Sequence, residues 1–195
     1  MKMKSLTEKW LAALLLAGGL SPIARAGEPT AFDLVKEGNR HLGEEAKGRV
    51  VQIRSEKSVG GLTPNIWFVV YYDPDATAKA TEIKFAAGTK VSVKRPARII
   101  EPIMGSHREL PKEKLKIDSD KAIEIAKNEP LIKNLTLTNT QWTLERGEDD
   151  QPVWKVKLWA AKIRKPSDTV NIGEIHISAE DGKVAKNDLK PGRVD

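Results

Sequence analysis

The chain has 195 residues, with 33 Lys and Arg against 27 Asp and Glu, three His and no Cys, for a formal net charge of +6. That length holds one domain of ordinary size or two small ones. The lack of Cys excludes disulfide and thiolate chemistry, and the charge lacks the clustered basic excess of a nucleic-acid binder.

Half of the surplus charge lies in the first 26 residues, where Lys2, Lys4, Lys9 and Arg25 face only Glu8. This segment reads as a secretory signal: basic residues at its start, an apolar run from Trp10 to Leu20, and the small-residue site Ala24-Arg25-Ala26. The run is about half the roughly 20 residues that a membrane-spanning helix needs. Cleavage after Ala26 and delivery to the periplasm or the exterior are expected, with no membrane insertion afterwards. With no Cys there is no lipid anchor, and with no disulfides stability must come from burial.

Beyond the signal, Thr30 is a candidate N-cap for a helix running from Ala31 to Leu42, where Phe32, Leu34, Val35 and Leu42 share a stripe and Gly43 closes it. Residues 49–57 alternate as a half-buried strand does, and Ser58 to Pro64, with Gly60 and Gly61, form a turn. Asn65 to Tyr72 is the strongest strand, being almost wholly aromatic and β-branched; Asp73-Pro74-Asp75 ends it. Strands follow at 80–86 and 89–95. Residues 96–116 carry Pro96, Pro102 and Pro111 with no sustained period, as a connection does.

Asp118-Ser119-Asp120 then opens a second helix, with acidic groups at the positive end of its dipole, and Pro130 stops or interrupts it. Strands are predicted at 135–145, 153–163 and 170–178. Glu180-Asp181-Gly182 makes a turn into a short last strand, and the polar tail from Lys186 reads as frayed.

The order helix then strands occurs twice, with diverged matching stretches. Pro64-Asn65-Ile66-Trp67 precedes Thr81-Glu82-Ile83-Lys84-Phe85 and Gly88-Thr89-Lys90-Val91. Pro152-Val153-Trp154 precedes Gly173-Glu174-Ile175-His176-Ile177 and Gly182-Lys183-Val184. The expected architecture is α+β: a tandem repeat of a helix packed on its own antiparallel sheet of three or four strands. Its parts are a signal at 1–26, a first repeat at 27–95, a linker at 96–116 and a second repeat at 117–195.

The second copy resembles a PepSY domain in Ser119-Asp120-Lys121-Ala122-Ile123-Glu124-Ile125-Ala126, in Pro152-Val153-Trp154-Lys155-Val156-Lys157-Leu158, and in Glu174 to Val184 with its Ser-Ala-Glu-Asp-Gly-Lys-Val close. Residues 31–95 are similar to a more distant copy that lacks the Asp-Gly turn and the alanine-rich helix. The resemblance implies a PepSY/cystatin-like, extracytoplasmic binding module with no catalytic residues, in some relatives restraining a peptidase. The tandem arrangement is similar in outline to that of the β-lactamase inhibitory proteins, which present a sheet surface to an enzyme.

If Trp67 and Trp154 are equivalent core residues, alternation buries Val69, Tyr71, Val156 and Leu158 under the helices. It then places Phe68, Val70, Tyr72, Lys155, Lys157 and Trp159 on the opposite face, unless the two sheets pack face to face, the connection covers them, or the register slips by one. Phe68, Tyr72, Lys155, Lys157 and Trp159 are the candidate protein-binding residues, since exposed aromatic and cationic groups concentrate at binding surfaces. His41, His107 and His176 show no metal-ligand spacing, no nucleophile or phosphate-loop motif is present, and no cofactor is expected. Asp73-Pro74-Asp75 and Glu148-Asp149-Asp150 read as solvated turns. The expected function is non-enzymatic binding of an extracytoplasmic protein by a monomer or weak oligomer. A structural subunit of an envelope assembly and a small-ligand carrier are the alternatives.

Overall fold

The computed structural model describes residues 28–96, 109–147 and 149–195. The signal segment, the apolar part of the 96–116 connection and His107 therefore lie outside the described residues. Two helices, α1 (Ala31–Asn39) and α2 (Ser119–Lys127), each precede four strands. The first four are β1 (Val50–Ser55), β2 (Ile66–Tyr72), β3 (Ala80–Ala86) and β4 (Thr89–Lys94). After α2 come β5 (Leu137–Arg146), β6 (Pro152–Ala161), β7 (Thr169–Ser178) and β8 (Val184–Asn187).

The expected pair of separate three- or four-stranded sheets, each with its own helix, is wrong. All eight strands form one antiparallel sheet in the order β4-β3-β2-β1-β5-β6-β7-β8. The physical reason is edge pairing: a separate four-stranded sheet leaves a row of unpaired N–H and C=O groups on β1 and another on β5, and each row satisfies the other.

The join is made of ladder and side chains together. Ile53 pairs with Leu144 and Arg54 with Thr143. Beyond them serine hydroxyls stand in for ladder carbonyls: Trp142 N–H donates to Ser55 Oγ at 2.9 Å and Thr140 N–H to Ser58 Oγ at 2.8 Å. At the other end Gln52 Nε2 donates to Glu145 Oε2 at 2.8 Å.

Both helices lie on one face of this sheet, over a single core that mixes residues from both halves. Trp67, Val69, Tyr71, Trp154, Val156 and Leu158 are buried there, as alternation along β2 and β6 gives. Trp142 joins them, its ring edge-on to Trp154 at 5.7 Å, while Phe32 of α1 stacks on Trp154 at 6.3 Å. Tyr71 passes under α1 and donates its hydroxyl to the Val35 carbonyl at 3.1 Å; burial raises its pKa.

The start of α2 also caps α1. Ala31 N–H donates to Ser119 Oγ at 3.0 Å and Phe32 N–H to Asp118 Oδ1 at 3.1 Å, so the cap of α2 also serves the free N–H groups of α1. Burial pushes the Asp118 carboxyl above its ordinary value, against hydrogen bonds from Thr30, Ser119 and Phe32 that act the other way. The folded chain thus holds this proton more tightly than the unfolded chain. The stability Asp118 contributes is fullest below the unfolded value and falls as pH rises through the folded one.

Asp118→Asn keeps an acceptor and removes the buried charge. Urea midpoints should show it at least as stable as wild type at neutral pH, with the two converging toward about pH 4, whereas Asp118→Ala should lose about 1–2 kcal/mol. An Asn variant that grows less stable than wild type as pH rises would contradict this account.

Two turns differ from their sequence readings. Asp73 is buried rather than solvated: Thr81 Oγ1 donates to it at 2.5 Å, Asp75 N–H at 3.0 Å, and the Arg95 guanidinium lies 3.3 Å away. Burial acts to raise its pKa, but these partners outweigh it and hold the carboxyl below its ordinary value. The tail is not frayed either. Leu189 and Val194 join the core, and Pro191–Val194 forms a 3-10 turn against β7. To let this segment approach, β7 bulges at Gly173, whose φ of +111° favours glycine.

Candidate functional site

The face of the sheet away from the helices carries all five candidate residues: Phe68 and Tyr72 on β2, and Lys155, Lys157 and Trp159 on β6. Phe68, Tyr72 and Trp159 are half-buried, Lys157 is exposed, and Val51, Val70 and Ala80 pack around Tyr72. The rings are separated by β1 and β5, so they form two clusters rather than one patch.

Each ring has a cation over it. The Arg49 guanidinium lies 4.2 Å from the Tyr72 ring centre, Arg54 4.4 Å and Lys84 5.2 Å from that of Phe68, and Lys57 4.5 Å from that of Trp159. Sequence reasoning named the rings and missed these cations. Arg54 and Lys84 could have been found, because each is the cross-strand neighbour of Phe68 once strand register is known.

Register places a line of residues across the whole face: Ser92, Lys84, Phe68, Arg54, Thr143, Lys155, His176 and Lys186, one per strand from β4 to β8. Directly opposed residues share a face, so five basic side chains stand in one row. Each has an acidic partner beside the row. Lys84 meets Glu56 at 3.3 Å, Lys155 meets Glu145 at 2.6 Å, His176 meets Glu174 at 2.6 Å and Lys186 meets Asp188 at 2.8 Å, while Arg54 pairs with Glu82. Such pairs add at most about 1 kcal/mol each; their effect is to fix the side chains and offset the charge of the Lys and Arg groups in the row.

Two hollows open beside it. One, of about 320 Å³ at the β1–β5 join, is walled by Gln52, Thr143, Glu145, Lys155 and Lys157. Gln52 is buried there, and its Oε1 accepts no hydrogen bond among the described residues. The other, of about 450 Å³, lies between β6–β7 and the C-terminal turn, and shares Lys157 and Glu174 with the first. A smaller crevice of about 100 Å³ on the helix side reaches Trp67 and Trp142.

His41 lies 3.4 Å from Glu37 of α1, whereas His176 stands on β7. Among the described residues no group of three or more His, Asp or Glu is placed to hold a metal ion, and no helix is long and apolar enough to cross a membrane. Comparison with protein-family models, with curated proteins and with solved structures finds no match to the chain.

Proposed function

We propose that this chain is an exported, non-enzymatic module that binds another extracytoplasmic protein on the face of its sheet away from the helices. One observation carries the reading: both helices are spent on one face of an eight-stranded sheet, and the other face keeps Phe68, Tyr72 and Trp159 there, each under a cation. A face that only met water has no use for rings costing hydrophobic exposure, whereas aromatic and Arg side chains carry a large share of binding energy at protein interfaces. Export rests on the signal-like first 26 residues. The PepSY-like stretches support the same reading, and restraint of a peptidase is its sharper form.

The test compares the chain lacking residues 1–26 with its Phe68→Ala, Tyr72→Ala, Trp159→Ala triple variant as baits in an extracytoplasmic extract of its source. A retained protein is then purified and titrated. The variant should bind it at least 100-fold more weakly while its thermal midpoint changes little. No retained protein, or one bound equally by both, would defeat the proposal.

A further inference from the structure

The charge of the open face is not spread evenly. In the central row every basic group has an acid within 3.3 Å or closer, so the row offers a partner little free charge. The C-terminal hollow differs. Lys157, Lys190 and Arg193 line it, and among the described residues none of the three has a carboxylate within ion-pair distance. Arg193 donates only to the Asn171 carbonyl, at 3.2 Å. The same wall also holds two carboxylates: Glu174, whose Oε1 meets the His176 ring, and Asp188, which pairs with Lys186 and is acted on by Lys190 from farther away.

Its three cations outnumber its two carboxylates, so the hollow is net positive. Backbone holds the C-terminal wall against β7: Lys190 N–H donates to the Ile172 carbonyl at 2.6 Å, and Asp188 N–H to the Glu174 carbonyl at 2.9 Å. Buried Leu189 and Val194 anchor the same segment. Lys157 projects from β6 opposite Glu174, where the hollow meets the one at the β1–β5 join.

We infer that the hollow between β6–β7 and the C-terminal turn receives an acidic side chain from a loop of the partner protein, with Lys157, Lys190 and Arg193 as its cationic contacts. This rests on the proposed function and adds the partner's chemistry. The argument is charge complementarity: three cations against two carboxylates around one concavity leave positive charge that an entering carboxylate offsets, and a carboxylate there meets charge-assisted donors from two directions. The rings of Phe68, Tyr72 and Trp159 supply contact area elsewhere on the face, so the acidic loop selects the partner's orientation.

The probe is a ten-residue fluorescein-labelled peptide of alternating Glu and Gly, with a Gln-for-Glu peptide as control, titrated by anisotropy at low salt. The Glu peptide should bind the chain lacking residues 1–26, the Gln peptide at least tenfold more weakly. Lys157→Gln, Lys190→Gln, Arg193→Gln together should weaken the Glu peptide at least tenfold. The same loss of charge on the helix side, Lys36→Gln, Lys121→Gln, Lys127→Gln, should leave it unchanged.

No binding of the Glu peptide, equal binding of both peptides, or equal loss in both triple variants would overturn the inference. So would displacement of the Glu peptide by inorganic phosphate below the peptide's own Kd, which marks a site for small anions. If the captured partner needs Phe68, Tyr72 and Trp159 but is indifferent to the three cations, docking on this face stands and acidic recognition falls. If the Glu peptide behaves as expected and no protein is captured, the anion site stands and the docking reading falls.

Discussion

Trp154→Ala is expected to lower the unfolding free energy by about 5 kcal/mol, the top of the range for deleting a large buried aromatic. Trp154 is fully buried where the halves of the chain meet: Phe32 from α1 stacks on it, Trp142 from β5 meets it edge-on, and its Nε1–H donates to the Ile117 carbonyl at 2.8 Å ahead of α2. Truncation opens a cavity between rigid rings that cannot collapse, and leaves a carbonyl without its donor. A domain stable by about 5–15 kcal/mol has little left after such a loss. Trp154→Phe keeps much of the volume and should cost about half as much. Urea unfolding followed by far-ultraviolet circular dichroism decides it. A loss below about 1 kcal/mol for the Ala variant would mean that the core can repack, against the packing described here.

Gly173→Ala should cost about 4 kcal/mol, through backbone strain and overpacking together. The residue sits at φ +111°, and a Cβ there would lie 2.3 Å from the Asp188 carbonyl oxygen and 3.1 Å from Leu189 Cα. Both neighbours are backbone, so no side-chain rotation relieves the contact. Either β7 gives up its bulge or the C-terminal segment lifts away. In the second case Lys190 and Arg193 leave the hollow, and the Glu peptide should weaken along with stability. Gly192→Ala is the control: nothing lies within 4 Å of its added Cβ, and its cost should stay within about 0.5 kcal/mol. Denaturant midpoints of the two variants measure the difference, and equal midpoints would remove Gly173 from any special role.

Local patterning carried much of the fold. The alternation Trp67, Val69, Tyr71 and the run Trp154, Val156, Leu158 mark which face is buried, because a strand's side chains change sides at every residue. Thr30 and Asp118 mark the helix starts through their side-chain acceptors. The joining of β1 to β5 was not legible. Its ladder uses N–H and C=O groups that every residue except proline carries, and its serine contacts, Ser55 to Trp142 and Ser58 to Thr140, span more than 80 residues of sequence.

The same limit applies to the site. Phe68, Tyr72, Lys155, Lys157 and Trp159 follow from strand period alone, whereas Arg49, Lys57, Lys190 and Arg193 reach the face through loops and the C-terminal turn. In that tail the apolar signal is only Leu189 and Val194 among polar residues, too sparse to distinguish an anchored segment from a loose end.

Strand joining also sets how large a partner the face can meet. Eight strands side by side, at ~4.8 Å spacing and about seven residues long, give a footprint of roughly 38 Å by 24 Å, about 900 Å². One protein's share of a standard-sized interface is about 800 Å². Either set of four strands alone would offer about half of that, the scale of a fleeting encounter. Width, more than any single side chain, is what the β1–β5 ladder contributes to recognition.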